Sequence, residues 1–268
     1  MNEITLGGVT VARVEEMHGP VGMTPEQFFP GWTDEAWQEN RGWLVPDHLG
    51  AEDDVVQVAF QTWALRSEGR TILVDTGIGN DKPRPAVGGW DHLSLGYLEN
   101  LAKAGIRPAD VDLVINTHLH VDHVGWNTRL VDGSVNENVF EDSIEPVHAA
   151  GQVQLWEGEH VVDGNLRLLA APGHTPGASV LILTSGSDKA LFAGDIVHTP
   201  LQVTHPAHDS CFCEDPITAQ ATRRDLLGWA ADNTALVLPA HFSGHTALEV
   251  ARNGDGFEIK NWGPFPTY

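Results

Sequence analysis

Thr117-His118-Leu119-His120-Val121-Asp122-His123 places four side chains able to bind a metal ion within six consecutive positions. The run before it, Leu113-Val114-Ile115, is apolar throughout and reads as a strand buried on both faces, so the histidines follow a strand's C-terminal end. Residues 118, 120 and 122 alternate, which in an extended segment sends them to one side, with His123 beyond the turn. Four ligand-type residues so close together can serve two centres. Imidazole and carboxylate without thiolate favour zinc, iron, manganese or cobalt. One histidine after a strand is ordinarily a hydrogen-bonded packing residue; a cluster this dense would leave polar groups unpaired at high cost unless an ion shares them.

Working outward, the same arrangement recurs. A strand over 71–74 ends at Asp75-Thr76-Gly77, and one over 165–170 leads to Pro172-Gly173-His174. A strand over 189–193 ends at Gly194-Asp195, and one over 235–238 ends at Pro239-Ala240-His241. Several strands therefore aim Asp or His at one sheet edge, where a rigid backbone preorganises a metal site. Hairpins are expected for 55–65 with 71–74 and for 178–184 with 189–193, each around a Gly-containing turn. Helices are expected over 93–104, stopped by Gly105, and over 215–232, with Asp215 as N-cap and Pro216 in the first turn. Residues 5–14 read as one loosely alternating strand, 108–110 as a short turn and 132–145 as loop.

Residues 15–54 differ from the rest. They are rich in Pro and Gly and carry Trp32, Trp37 and Trp43 without clear periodicity, so they read as a cap or packed arm covering the core, the site or a neighbouring subunit. No repeat, low-complexity tract or linker interrupts the chain. One domain over 1–268, with 15–54 as its N-terminal Trp-rich arm, is the expected organisation.

The 268 residues carry 37 acidic against 15 basic side chains, a formal net charge of −22. Such a surface repels phosphate backbones and anionic membranes, so neither is an expected partner. No apolar run approaches the ~20 residues of a membrane span. Residues 1–14 lack the apolar core of an export signal, which points to the cytoplasm. The two cysteines, Cys211 and Cys213, are too close for an unstrained disulfide and too few for a structural zinc site; they read as reduced, partly buried thiols.

His-x-His-x-Asp-His at 118–123, Gly-His-Thr-Pro-Gly at 173–177, Ala-Gly-Asp at 193–195 and Pro-Ala-His at 239–241, in this order, resemble the metallo-β-lactamase superfamily over about residues 55–245. The resemblance implies an α/β fold, the αβ/βα sandwich, with two divalent transition-metal ions at one edge, zinc first. It implies that His118, His120 and His174 hold one ion, that Asp122, His123 and His241 hold the other, and that Asp195 bridges them. Asp75 resembles the acid that orients a ligand imidazole from behind. Gly194-Asp195-Ile196-Val197-His198 with Gln202-Val203 looks like the methyl parathion hydrolase and N-acyl-homoserine lactonase branch. His198 and Trp37 are candidates to face the substrate or support the site.

The function so implied is hydrolysis of an ester-type bond in a small molecule (lactone, aryl ester or organophosphate, with an activated aryl ether as a further option) by a metal-bridging hydroxide. Asp122 and Asp195 are the candidate catalytic carboxylates, placed to take or relay a proton. The alternatives are an iron-dependent oxidative member resembling persulfide dioxygenases and a non-catalytic subunit that kept the fold. A nuclease would want a basic groove. A glutathione thioesterase would want a basic C-terminal patch, where Lys260 stands nearly alone. The segment between His123 and His174 is short for the lactonase branch, so one pocket wall is expected from another chain and a homo- or hetero-oligomer is the expected state.

Overall fold

A computed structural model describes residues 3–31, 33–129 and 138–265. Their strands build two sheets. The first runs, in spatial order, β1 (Glu3–Leu6), β2 (Val9–Pro20), β3 (Gln57–Ser67), β4 (Arg70–Val74) and β5 (Leu113–Ile115). The second contains β6 (Glu159–Val161), β7 (Leu166–Ala170), β8 (Ser179–Ser185), β9 (Asp188–Gly194), β10 (Leu236–Pro239), β11 (Leu248–Asn253) and β12 (Gly256–Trp262). Its spatial order is β12-β11-β10-β9-β8-β7-β6. The helices among the described residues are α1 (Pro25–Phe28), α2 (Asp34–Leu44), α3 (Tyr97–Lys103), α4 (Glu145–Ala149), α5 (Leu201–Thr204) and α6 (Pro216–Asn233). Two pairs are parallel, β4 with β5 and β9 with β10, and a parallel pair needs a crossover. The first crossover carries α3, the second α5 and α6.

Period-two patterning decides the layers. Trp63 and Leu65 of β3 and Ile72 and Val74 of β4 face the second sheet, where they meet Leu181, Leu183, Ala190 and Phe192. The residues between them turn outward: Ala64 and Leu73 pack under Tyr97 and Leu101 of α3. On the other side Val180, Ile182, Leu191 and Ala193 pack under Leu227 and Ala230 of α6. Helix, sheet, sheet and helix therefore stack in the expected αβ/βα order. The start of α6 is as expected, with Pro216 at its beginning and the Asp215 carboxylate accepting from the Thr218 amide at 3.1 Å.

Elsewhere the structure corrects the sequence reading. Residues 5–14 are not one strand but the β1–β2 hairpin, turned at Gly7 (φ 58°), and β2 runs on to Pro20, so the first residues of the Trp-rich segment belong to the sheet. Helix α3 begins at Tyr97, not at Leu93, because the Asn80 amide group bonds both the Leu95 N–H and its carbonyl, each at 2.9 Å. Strand β5 lies at a sheet edge, and Val114 is 37% exposed rather than buried. Of the expected loop at 132–145, residues 132–137 lie outside the described residues. Phe140–Ile144 form a π-helical turn that runs into α4. Polar anchors hold that turn: the buried Asp142 carboxylate accepts from Arg84 at 2.6 and 3.1 Å, and Lys82 Nζ donates to Ser143 Oγ at 2.6 Å.

The arm folds into α1 and α2. Phe28, Phe29, Trp37 and Leu44 form one apolar cluster with Val56, Val58, Phe60 and Ile78, and Trp43 packs against it. Trp32 lies outside the described residues. Behind the arm, His48 is fully enclosed, edge-on to Phe242 (5.6 Å) and stacked on Trp262 (6.3 Å). Burial, reinforced by nearby His245, pushes its imidazole down to about 3. The unfolded chain takes up this proton near pH 6.5 while the fold does not, so stability is intact above that pH and falls as pH drops toward 3. Urea unfolding should show that His48→Leu reduces the stability lost between pH 7 and 4.5 by about 2–3 kcal/mol. An equal acid loss in both chains would exclude His48 as its source.

Candidate metal centre

The histidine motif follows β5 as a loop rather than an extended segment. It turns at 121–123, closed by the His123 N–H on the His120 carbonyl at 3.1 Å. The turn therefore groups Asp122 with His123 and His241 rather than with His118 and His120, although the His118 and His123 rings stay 4.0 Å apart. Asp75, just past β4 with φ 57°, holds the loop: its carboxylate accepts from the Thr117 N–H (2.8 Å), Thr117 Oγ1 (2.8 Å) and His123 Nδ1 (2.9 Å). The His123 carbonyl in turn accepts from Thr76 N (2.8 Å) and Asn116 Nδ2 (2.9 Å). The loops can approach because Gly125 lies against Ile78, where a Cβ would come within 2.0 Å of the Ile78 carbonyl.

The second sheet supplies the remaining side chains. His174 follows β7, Asp195 follows β9 and His241 follows β10. His118, His120, His174 and Asp195 form one set of convergent donor atoms, and Asp122, His123 and His241 form another, each set lying within 4.8 Å. Asp195 stands between them. Its Oδ2 lies 3.3 Å from His174 Nε2 and 3.8 Å from His118 Nε2, and its Oδ1 lies 3.1 Å from His241 Nε2 and 3.3 Å from His123 Nε2. Most of these groups are buried; His120 and Asp122 are partly exposed and mark the mouth.

The nitrogens show what the cluster is built to hold. His123 Nδ1 donates to Asp75, and His241 Nδ1 donates to the Ala59 carbonyl at 3.0 Å. Both Nε2 lone pairs then point at each other across 3.2 Å. His120 Nδ1 and His174 Nε2 oppose each other likewise at 3.0 Å, and His118 Nε2 is buried without a hydrogen-bond partner. Ring nitrogens held this close must share a proton or a cation, and a cluster of imidazoles and carboxylates converging in this way fits divalent metal ions.

Electrostatics agree. Burial alone would raise the Asp195 carboxyl, but the imidazoles of His241, His123, His198 and His118 hold it well below the usual carboxylate range. Burial lowers His174 to about 3, and burial with neighbouring His123 lowers His118 well below its usual value. Burial opposes the charged form of His123 too, yet Asp195, Asp75 and Asp122 raise it well above the ordinary value. Burial opposes the charged form of His241 as well, yet Asp195 and Asp122 raise it. His118 and His174 are thus neutral, as ligands must be, while around His123 and His241 the carboxylates favour a positive charge that a bound cation would supply.

Other candidates fall nearby. His198 is buried, with Nε2 3.3 Å from Asp195 Oδ2 and its ring stacked on His241 at 5.8 Å. Trp37 is buried against Phe29 at 5.7 Å, and within the arm it is Phe28 that meets the His198 ring, at 5.8 Å. Sequence reasoning missed Phe28, Phe60 (edge-on to His241 at 5.4 Å) and Glu16. The buried Glu16 carboxylate accepts from Ile78 N (2.6 Å), Gly79 N (3.0 Å) and Trp126 Nε1 (2.7 Å). Strand β2 also carries Arg13, Glu15 and His18, so its sequence does not single Glu16 out.

Residues 61–241 match the model of the metallo-β-lactamase superfamily, and the chain belongs to that superfamily. An N-acyl homoserine lactonase of a Bacillus species is 28% identical over 174 residues, 54% of this chain and 67% of that one. Metallo-β-lactamase domain-containing protein 1 of Mus musculus is 30% identical over 173 residues, 63% of this chain and 58% of that one. Two solved structures share the fold: a probable metal-dependent hydrolase from Staphylococcus aureus (TM-score 0.77, 16% identity, 97% of this chain and 99% of that one) and AidC, a dizinc quorum-quenching lactonase in complex with a product (TM-score 0.74, 19% identity, 97% of each). With lactonase relatives, hydrolase neighbours and this His/Asp cluster, the chain is a metal-dependent hydrolase of that superfamily.

Asp75 offers a direct test of the support behind the centre. Asp75→Ala removes the acceptor of three hydrogen bonds, so zinc affinity measured against a chelator should fall about 10–100-fold. Unchanged affinity would separate Asp75 from the metal ligands.

Proposed function

We propose that this chain holds two divalent metal ions side by side and hydrolyses an ester-type bond in a small molecule, a lactone first. The observation that carries this reading is Asp195, whose two oxygens each face a different set of imidazoles. His118, His120 and His174 would hold one ion, Asp122, His123 and His241 the other, with Asp195 shared. Divalent cations of this kind, zinc first and iron, manganese or cobalt as alternatives, supply Lewis acidity toward a carbonyl or phosphoryl oxygen and acidify water.

The chain's own groups do the rest. Asp195 fixes the spacing of the two sets. Asp122, with its side chain 14% exposed against 6% for Asp195, is the more solvent-open carboxylate, so the oxygen it does not give to the ion would take a proton from the attacking water and deliver it to the leaving oxygen. Phe28 and Phe60 keep water from the flanks of His198 and His241. Leu119 (57% exposed) and Phe212 (46% exposed) offer apolar contact to an organic substrate beside the mouth. The lactonase relative supports lactones as the first choice over aryl esters, organophosphates and aryl ethers.

The same reading includes a cytoplasmic protein; among the described residues no helix is long and apolar enough to cross a membrane. It also includes a homo- or hetero-oligomer, on the ground of the short segment between His123 and His174. Light scattering of the purified chain at micromolar concentration should give a multiple of the monomer mass; a monomer active on dilution would rule self-association out.

Zinc-reconstituted protein should contain close to two equivalents of metal and open N-acyl homoserine lactones faster than it cleaves aryl esters, phosphotriesters or nitroaryl ethers. Asp195→Ala should lower kcat/KM by roughly 10²–10³-fold while the circular dichroism spectrum is kept. A single equivalent of iron without hydrolysis would overturn the proposal in favour of oxidative chemistry.

A further inference from the structure

Buried imidazoles of the centre turn one nitrogen inward and the other to an acceptor. His123 Nδ1 uses Asp75 Oδ2 at 2.9 Å, and His241 Nδ1 uses the Ala59 carbonyl at 3.0 Å. His118 Nδ1 lies 3.1 Å from Thr117 Oγ1, whose own proton goes to Asp75. His174 differs in kind. Its Nε2 faces His120 and Asp195, and its Nδ1 faces a thiol, Cys213 Sγ, at 3.8 Å.

Both backbone and side chains hold that contact. The amides of Glu214 and Asp215, directly after Cys213, bond the carbonyls of His174 (3.0 Å) and Gly173 (2.9 Å). Cys213 Sγ lies 3.7 Å from Ser210 Oγ, which lies 3.5 Å from His198 Nε2. His198 Nε2 and His174 Nε2 both lie 3.3 Å from Asp195 Oδ2. Asp195, His174, Cys213, Ser210 and His198 thus close a ring of polar contacts around one side of the centre. Neighbouring Cys211, by contrast, is exposed.

We propose that Cys213 is a positioning residue for the first metal site: its sulfur accepts the Nδ1 proton of His174 and so leaves the Nε2 lone pair for the ion. This rests on reading His118, His120 and His174 as metal ligands. A thiol is a weak acceptor, so the contribution belongs at the low end of what outer hydrogen-bond partners give.

Zinc affinity of the full-length chain, measured by competition with a chromogenic chelator, tests this without substrate. Cys213→Ala should weaken one of the two zinc equivalents about tenfold and leave the other within about threefold. The melting temperature of the zinc-free variant should stay near wild type. Cys213→Ser, whose hydroxyl also accepts, should restore most of the affinity, and Cys211→Ala should change nothing. Two unchanged affinities in Cys213→Ala would overturn the proposal. So would equal weakening in the Ala and Ser variants with a lowered zinc-free melting temperature, which marks a packing role, or the same weakening in Cys211→Ala. A wild-type chain that takes up no zinc would overturn both this inference and the reading of the centre; two tight sites without lactone hydrolysis would overturn only the proposed activity.

Discussion

The Asp75 carboxylate ties the end of one strand to the loop that follows its neighbour. It accepts both protons of Thr117, amide and hydroxyl, and one from His123. Through Thr117 the tie reaches the other sheet, because the Thr117 carbonyl accepts from the Ser179 amide (2.8 Å) and hydroxyl (3.0 Å). Hydrogen bonds to an ionised acceptor contribute about 1.5–3 kcal/mol each, enough to fix a loop that packing alone would leave adjustable. The adopted φ of 57° is tolerated by Asp better than by most residues.

That anchoring matters because the centre is unfavourable by itself. Imidazoles converge with lone pairs opposed, and acids are buried among them. Glu16 adds another, its carboxyl pushed up by burial although two amides and an indole N–H bind it. Such an arrangement forms only where rigid strand ends impose it. The two facing sheets meet through an apolar core, and the ligand side chains stand on the loops at one rim.

Much of this was legible in the chain itself. The apolar runs 178–184 and 189–193 on either side of a Gly-containing turn give the hairpin, and the positions of His118, His174, Asp195 and His241 after strands give the rim. What hid from the sequence is held by long-range polar contacts. Asn80 cuts α3 short, and Arg84 and Lys82 hold the Phe140–Ile144 turn by Asp142 and Ser143, so neither boundary follows from apolar period. The β11–β12 hairpin had a signal, Asn253-Gly254-Asp255-Gly256, that the histidine motifs overshadowed. Cys213 had none: its meaning comes from a neighbour 39 residues away.

One pairing joins the site to the whole sandwich. Ala59 and His241 exchange hydrogen bonds across the sheets: the Ala59 amide donates to the His241 carbonyl at 3.0 Å, and His241 Nδ1 donates to the Ala59 carbonyl at 3.0 Å. Gln61 and Trp63 reinforce it from the same strand, both donating to the Pro239 carbonyl. Peeling the layers apart therefore means dismantling the ligand constellation. The Ala59 and Ser179 amides then belong to the most slowly exchanging class, released to solvent only by global opening.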